Sequence, residues 1–469
     1  MPILFATTSQ LLNAHDGDAL DQSSESFSKL RQYQKEGVSF LSRSDSALLA
    51  DEMGLGKTVQ AVVALQIVLL GDATRRALIV CPSSLRLNWE RELANWAPQL
   101  GVRRVVGSRE DREAHYLLPF QVLVTSYEQL RIDAFNIANL VHFDVVILDE
   151  AQRIKNRHSS TALACAILNR RASWVLTATP VENSPEDLTS ILMFVRVGLV
   201  QSGLPRSELH KRMQPYFLRR RKKDVLPELP PIIEQEIEIE LSFQQRLIYD
   251  DLWGARLELS GGGSSLSQTS MFSLITKLKQ LCNFDEASGE SAKAEILDDI
   301  IESLVEIDDK IIVFSQYVET LRWLQARQSR IPTLFFSGEL SEVERDQVVE
   351  EFERASGPRV LFMSIRAGGV GLNLQSASVV VMFDRWWNPA VEDQAIQRAH
   401  RFGRERPLHV IRFLTTDSIE ERIAAVIGTK RLTIDEYTDD AINADVQSFT
   451  SHELMRLLDI VEPVDTIPR

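Results

Sequence analysis

An apolar triplet, Leu48-Leu49-Ala50, runs without a break into Asp51-Glu52-Met53-Gly54-Leu55-Gly56-Lys57-Thr58, and that octet opens a long apolar-rich stretch over residues 59–70. A buried strand that empties through a glycine turn into a helix opens a βαβ unit, and βαβ units commit their strands to a parallel sheet. Gly54 and Gly56 let backbone N–H groups approach an anion, and the N-terminus of the following helix adds its dipole. The residue types fit a phosphate loop. Lys57 suits the β and γ phosphates of ATP, Thr58 suits the accompanying Mg²⁺, and Met53, Gly54, Leu55 and Gly56 form the cradle. The usual pattern has glycine at the first loop position, where this chain carries Asp51.

The same grammar recurs along the chain. Apolar runs at 48–50, 77–80, 122–124, 145–148 and 175–176 read as buried strands separated by helix-like segments, and a second set follows at 311–314, 333–336, 360–363, 379–383 and 409–413. Nearly continuous apolar runs, rather than alternating ones, are typical of parallel strands covered on both faces. Between the sets the alternation fails. Residues 226–231, Leu-Pro-Glu-Leu-Pro-Pro, read as an extended linker, and the helical stretch after it is interrupted by Ser260-Gly261-Gly262-Gly263-Ser264-Ser265. The expected organisation is a polar lead-in over 1–29, a first α/β lobe over 30–230 with a helical insertion near 184–215, a helical linker over 231–295, a second α/β lobe over 296–430, and an acidic tail over 431–469. Within that tail, residues 450–458 have helical spacing with Thr450 or Ser451 as N-cap, so this stretch is expected to dock on a lobe.

Two further constellations carry chemistry. Val145-Val146-Ile147-Leu148 ends in Asp149-Glu150-Ala151-Gln152, which brings two carboxylates to the C-terminal edge of a strand, where ligands sit in open α/β sheets. Alone this is a solvated turn; beside the lysine loop it reads as a nucleotide site. Asp149 would then hold Mg²⁺ partly through water and Glu150 would orient the attacking water. In Gln394-Ala395-Ile396-Gln397-Arg398-Ala399-His400-Arg401, Gln394 and Arg398 share a helical face and Arg401 follows three residues on. Such a face is commonly a salt-bridged surface, but Arg398 and Arg401 also suit the stabilisation of charge on a γ phosphate.

The formal charge of −14 does not exclude a nucleic-acid partner, because of where it lies. Residues 281–310 carry an excess of eight acids and residues 431–469 an excess of six, so the remainder is neutral overall and free to present basic surfaces. Three scattered cysteines without a CxxC pair argue against a disulfide framework or a zinc site and fit a reducing compartment. No basic-then-apolar leader opens the chain, and residues 59–70 are too short to span a bilayer. A cytoplasmic protein, nucleoid-associated if bacterial and with no membrane partner, is the expectation.

Taken in order, these residues resemble the helicase-like ATPases of superfamily two, and within them the Swi/Snf-type DNA translocases. The resemblance runs from about Leu30 to about Ile427 and implies two tandem RecA-like lobes. Leu30 to Gly37 resembles the adenine-reading segment, with Gln34 as its hydrogen-bonding amide. Cys81 to Leu85 followed by Asn88-Trp89 resembles the first DNA-tracking loop, and Thr125-Ser126-Tyr127 the next. Leu176-Thr177-Ala178-Thr179-Pro180 with Asn183 is similar to the motif that couples hydrolysis to lobe movement. Phe217-Leu218-Arg219-Arg220-Arg221-Lys222-Lys223-Asp224-Val225 is similar to a segment typical of this family; read naively, its basic run is a nuclear import address, and the resemblance makes it internal and DNA-proximal instead. Lys279 to Asn283, Ser364 to Leu374 and Asp384 to Pro389 complete the order. Arg404 stands where glutamine is common and is expected to be tolerated. Gln152 stands where many helicases have histidine, a variant familiar in this family.

The resemblance implies that Gln152, Gly371 and Gln394 border the nucleotide with Gln34. It also implies that Ser83, Ser84, Asn88, Trp89, Thr125, Ser126, Gln316, Ser364, Arg366 and Trp387 face nucleic acid. For Trp386 and Trp387 two readings stand: stacking on bases, or one ring in the core and the other bracing the hinge. The implied activity is ATP-dependent translocation on double-stranded DNA without sequence preference. The alternatives are a strand-separating helicase on DNA or RNA and an ATP-gated remodeller of a DNA-bound protein such as RNA polymerase. The compact core, without a flanking chromatin-type module, points to a bacterial, archaeal or viral setting with a protein partner for targeting.

Overall fold

The structure is a computed structural model describing residues 25–70, 72–178, 185–200, 206–254, 268–368, 372, 374–387, 389–401, 403–426 and 451–459. The chain divides into two compact units between Pro227 and Glu228, inside the proline-rich run. Most of the lead-in, the Ser/Gly tract at 260–265 and most of the acidic tail lie outside the described residues.

The first unit holds seven strands, β1 (Ser46–Leu49), β2 (Ala77–Cys81), β3 (Val102–Arg104), β4 (Val122–Ser126), β5 (Phe143–Asp149), β6 (Arg170–Leu176) and β7 (Phe217–Leu218). They form one sheet in the order β3-β4-β2-β5-β6-β1-β7, parallel throughout. β2 and β4 are buried at every residue, as strands covered on both faces must be. The order places β6 between β1 and β5, so the loops leaving β1 and β5 flank the end of β6. Serine caps set several helix starts in this unit: Ser108 before Arg109–Leu117, Ser126 before Tyr127–Ile137 and Ser159 before Ser160–Ala166.

The second unit holds β8 (Ile232–Ile239), β9 (Ile311–Ser315), β10 (Thr333–Phe336), β11 (Val360–Ser364), β12 (Val379–Met382) and β13 (Leu408–Thr415), in the order β10-β11-β9-β12-β13-β8 and again all parallel. Alternation along the strands builds two cores. Ile312 and Phe314 of β9 join Leu361, Met363, Val380 and Met382 on one face, while Ile311 and Val313 join Val360, Phe362, Val379 and Val381 on the other. Residues 232–239, expected to open a helical linker, are instead edge strand β8. The physical reason lies in Glu234, Gln235, Glu236 and Glu238: an edge strand needs few apolar residues, and here Glu234 and Glu236 pair with Arg412 and Arg385.

A third apolar cluster is helical. Tyr249, Met271, Ile275, Leu278 and Cys282, from helices Phe243–Gly254 and Gln268–Asn283, pack with Ile419, Ile423, Leu454, Leu457 and Leu458. The helix Ser451–Leu457 therefore docks on the helical insertion, as its spacing predicts. No helix of the described residues is long and apolar enough to cross a membrane.

Candidate functional site

The loop after β1 makes its turn with Gly54 at φ 87° and Gly56 at φ 75°. At Gly56 the left-handed backbone disfavours any side chain, and an added Cβ would lie 2.7 Å from Gln34 Nε2 and displace that amide. Gly56 is the N-cap of helix Lys57–Leu69, contributes no capping side chain, and is followed by a first turn without acids. The helix start thus keeps backbone N–H groups for an anion. Lys57 Nζ donates to the Asp51 carbonyl (2.8 Å), folded over the loop. Gln34 Oε1 accepts from Arg31 N (3.0 Å), and its Nε2 donates to the Leu55 carbonyl (3.4 Å), so the amide borders the loop.

Asp51, the departure from the usual glycine, has a partner the sequence did not reveal. Its fully buried carboxylate receives a fork from Arg220, Nε to Oδ1 (3.0 Å) and Nη2 to Oδ2 (2.6 Å), and also the Arg220 backbone N–H (3.1 Å) and Gln60 Nε2 (3.1 Å). A buried carboxylate with a bidentate guanidinium and two further donors is well compensated. Arg220 also donates to the Tyr33 carbonyl and Gln60 Oε1 and lies over the Tyr33 ring. It therefore ties together the helix Gln32–Ser42, the phosphate loop and the helix behind it. Arg220 and Lys222 point inward while Arg219, Arg221 and Lys223 are exposed, over the stretch that leaves β7 and enters the short helix Lys222–Val225. This segment is internal structure rather than a free basic address.

Asp149 ends β5 with its side chain nearly buried, 6% exposed. Trp89 Nε1 donates to its Oδ2 (2.8 Å), Glu150 N to its Oδ1 (3.0 Å), and Tyr127 Oη to its carbonyl (2.8 Å). Burial, followed by the charge of Glu150, pushes its pKa up to about 7, against the Trp89 hydrogen bond and the Lys57 cation. Two acids so short of positive charge fit a divalent cation, and Thr58, half-buried in the first turn of its helix, supplies the hydroxyl such a site uses. Among the described residues no three His, Cys, Asp or Glu side chains form a closed metal cage. Glu150 adopts a left-handed backbone, φ 51° and ψ 53°, a strained conformation for a non-glycine residue. From there Glu150 Oε2 accepts from Gln152 Nε2 (2.9 Å), and Gln152 Oε1 accepts from Thr177 Oγ1 (3.0 Å). The end of β6 is thereby hydrogen-bonded to the acid pair.

Several residues expected to face nucleic acid do not reach the surface. Trp89 is fully buried with its N–H spent on Asp149, which corrects its assignment to the tracking loop. Thr125 is fully buried against Tyr116 (3.2 Å), and Ser126 is buried as the N-cap that accepts from Gln129 N (3.2 Å). These side chains go to packing and capping because β4 is buried along its length and Trp89 lies, with Leu93, on the buried face of the helix Arg86–Trp96. Ser83 is exposed, and Ser84 and Asn88 are half-buried, so the accessible part of that loop is polar. In the second unit Ser364 is buried, and Gln316 is half-buried with its N–H on Asp384 (3.1 Å). Gly371, Thr179, Pro180, Asn183 and the Arg366 side chain lie outside the described residues. Trp386 packs on the sheet core, and Trp387 packs edge-on to Phe272 (6.4 Å) with Lys279 Nζ 4.6 Å from its ring. Both rings lie on protein.

The arginine helix is Pro389–Ala399. Arg398 is buried, while Gln394 and Arg401 are half-buried. Arg404, the departure from glutamine, donates to the carbonyls of Gln375, Ala377, Ala399, Arg406 and Pro407 and so clamps the turn after this helix. The same unit holds a buried polar cluster that no local sequence pattern signals. Lys293 Nζ binds both oxygens of Glu420 (2.7 Å) and the Phe383 carbonyl (3.0 Å), Asn283 donates to Asp384 (3.1 Å), and Lys279 donates to the Arg385 carbonyl (2.7 Å). These bonds fasten the helical insertion to the strand ends of the second sheet.

The SNF2-related domain profile matches residues 33–287, and the helicase conserved C-terminal domain profile matches residues 292–403. An uncharacterized ATP-dependent helicase of Mycoplasma pneumoniae is 35% identical over 455 residues, covering 92% of this chain and 44% of the relative. A putative ATP-dependent helicase/translocase of Bacillus subtilis is 34% identical, covering 87% of this chain and 48% of the relative. The chain thus spans about half the length of the curated relatives it matches. Among solved structures, the Sulfolobus solfataricus SWI2/SNF2 ATPase core in complex with dsDNA is 28% identical over 92% of this chain and 97% of that one, with a TM-score of 0.43.

Proposed function

The chain belongs to the SNF2-related domain family, and on that premise we propose that it hydrolyses ATP to move along double-stranded DNA. The observation that carries this reading is the placement of the Lys57 loop and the Asp149–Glu150 pair on either side of β6, with Thr177, Gln152 and Glu150 joined by hydrogen bonds. Lys57 exchanges the Asp51 carbonyl for phosphate oxygens, and Gln34 reads the adenine, with Met53 to Gly56, Gly371 and Gln394 bordering the nucleotide. Thr58 and Asp149 would hold Mg²⁺, which would supply positive charge to the phosphates when bound. Glu150 accepts a proton from the attacking water, and Gln152 holds that carboxylate in place. Arg398 and Arg401 stabilise charge on the γ phosphate, a role worth about 10³–10⁵ in rate.

Contacts to DNA fall to Ser83, Ser84 and Asn88 in the first unit and to Gln316, Arg366 and the neighbourhood of Trp387 in the second. Hydroxyls and amides on phosphates carry no sequence information, so binding is sequence-independent and weakened by salt. The deciding experiment is ATP hydrolysis by the purified chain, alone and with duplex DNA, single-stranded DNA or RNA, beside Lys57→Ala and Glu150→Gln. Strong stimulation by duplex alone, with both variants inactive, supports the proposal. Best stimulation by single strands or RNA replaces it with a strand-separating helicase.

A further inference from the structure

Within the first unit, residues 217–222 are laced onto the nucleotide loop. Ala50 N donates to the Leu218 carbonyl (2.7 Å), Glu52 N to the Arg220 carbonyl (3.0 Å), and Lys222 N to the Glu52 carboxylate (2.7 Å). The Arg220 fork on Asp51 secures the same contact through side chains (3.0 and 2.6 Å). Backbone movement at residues 50–52 therefore strains this segment directly. Ten residues beyond Arg220, within the second unit, the Pro230 carbonyl accepts from His400 Nε2 (2.7 Å) and the Pro231 carbonyl from Leu408 N (3.2 Å). A carbonyl can only accept, so the His400 proton is on Nε2. His400 is buried and stands between Arg398 and Arg401. Between the two anchorages the chain is stiffened by Pro227 and Pro230, and Leu226 is buried.

We propose that residues 217–231 form a strap of fixed length that passes the state of the nucleotide loop to the arginine helix, with Arg220 and His400 as positioning residues at its ends. The inference rests on the ATPase reading above. Neither residue touches reacting atoms: Arg220 sets the loop backbone through Asp51, and His400 sets the placement of Arg398 and Arg401 through Pro230. An extended chain spans about 3.5 Å per residue, so four inserted residues add roughly 14 Å of slack and leave both anchorages intact.

The test uses the full chain with a Gly-Ser-Gly-Ser insertion between Glu228 and Leu229, beside His400→Ala and His400→Gln. Affinity for a fluorescent ATP analogue, KM and kcat with saturating duplex DNA, and thermal melting are measured for each. Insertion and His400→Ala are expected to keep nucleotide affinity within about 2-fold and lose kcat by about 10- to 100-fold, the scale of a small misplacement at a reacting centre. His400→Gln, whose amide N–H can donate to Pro230, should regain most of the rate. An inserted variant with wild-type kcat overturns the strap, and so does a loss of affinity, rate and melting temperature together, which marks simple structural damage. A wild type that hydrolyses no ATP with any nucleic acid overturns the function and the strap with it. An active wild type beside an indifferent insertion overturns the strap alone.

Discussion

Asp149→Asn is expected to remove activity and to gain stability relative to the nucleotide-free wild type as pH rises from 5 to 8. The carboxyl is buried, and its pKa is pushed from the ordinary 3.8 up to about 7. A raised pKa means that the folded state favours the protonated acid. Its contribution is therefore fully present below pH 3.8 and is lost as pH rises through about 7. At about 1.4 kcal/mol per unit the full penalty is on the order of 4 kcal/mol, of which less than half has been incurred at pH 5. Asparagine has no such slope. It also turns its NH₂ toward either the Trp89 or the Glu150 N–H, which costs about 1–3 kcal/mol, but equally at both pH values. The advantage of the variant over wild type should therefore increase by about 2–3 kcal/mol between pH 5 and pH 8, read from urea melts without nucleotide or Mg²⁺. An advantage that is constant with pH, or that shrinks toward pH 8, would refute the account of Asp149 as a desolvated acid pressed by Glu150.

Three further outcomes are expected. Trp89→Phe keeps the buried ring and removes one donor to Asp149, so kcat should fall about 10-fold while nucleotide-free affinity for duplex DNA is unchanged; weaker DNA binding with normal hydrolysis would return Trp89 to the tracking loop. Lys293→Met leaves Glu420 charged and buried and should cost about 3–5 kcal/mol in denaturant melts, much of it recovered by adding Glu420→Met; equal losses in the single and double variants would show that the pair is not the cause. Cys81, Cys165 and Cys282 are all buried, and burial pushes the thiols of Cys165 and Cys282 up to about 12. A thiol reagent at pH 8 should therefore label none of them before the protein unfolds, and rapid labelling of the native protein would reveal local opening.

All ten strands expected from apolar runs are present, and most of them are covered on both faces and so apolar along nearly their whole length. The three that went unread, β3, β7 and β8, are all edge strands. Their outer sides face no neighbour, so Arg103, Arg104 and the glutamates of β8 are tolerated and the apolar signal disappears. The phosphate loop and the acid pair were readable for a similar reason. Their chemistry is written in adjacent residues at fixed offsets from a strand end.

Side-chain direction was not readable in that way. Trp89, Thr125 and Ser126 stand in segments that resemble DNA-tracking loops, yet each turns inward to a hydrogen bond of the interior. The sequence by itself determined two parallel α/β units and the order of their motifs, since these follow from periodicity and local spacing. Only the tertiary structure decided that Asp51 is held by Arg220, Asp149 by Trp89, and the Pro230 carbonyl by His400. Those partners lie 169, 60 and 170 residues apart along the chain. No local pattern specifies such pairs; they meet because strand order brings the ends of separate elements to one edge of a sheet, where burial leaves each polar group only the partners the fold supplies.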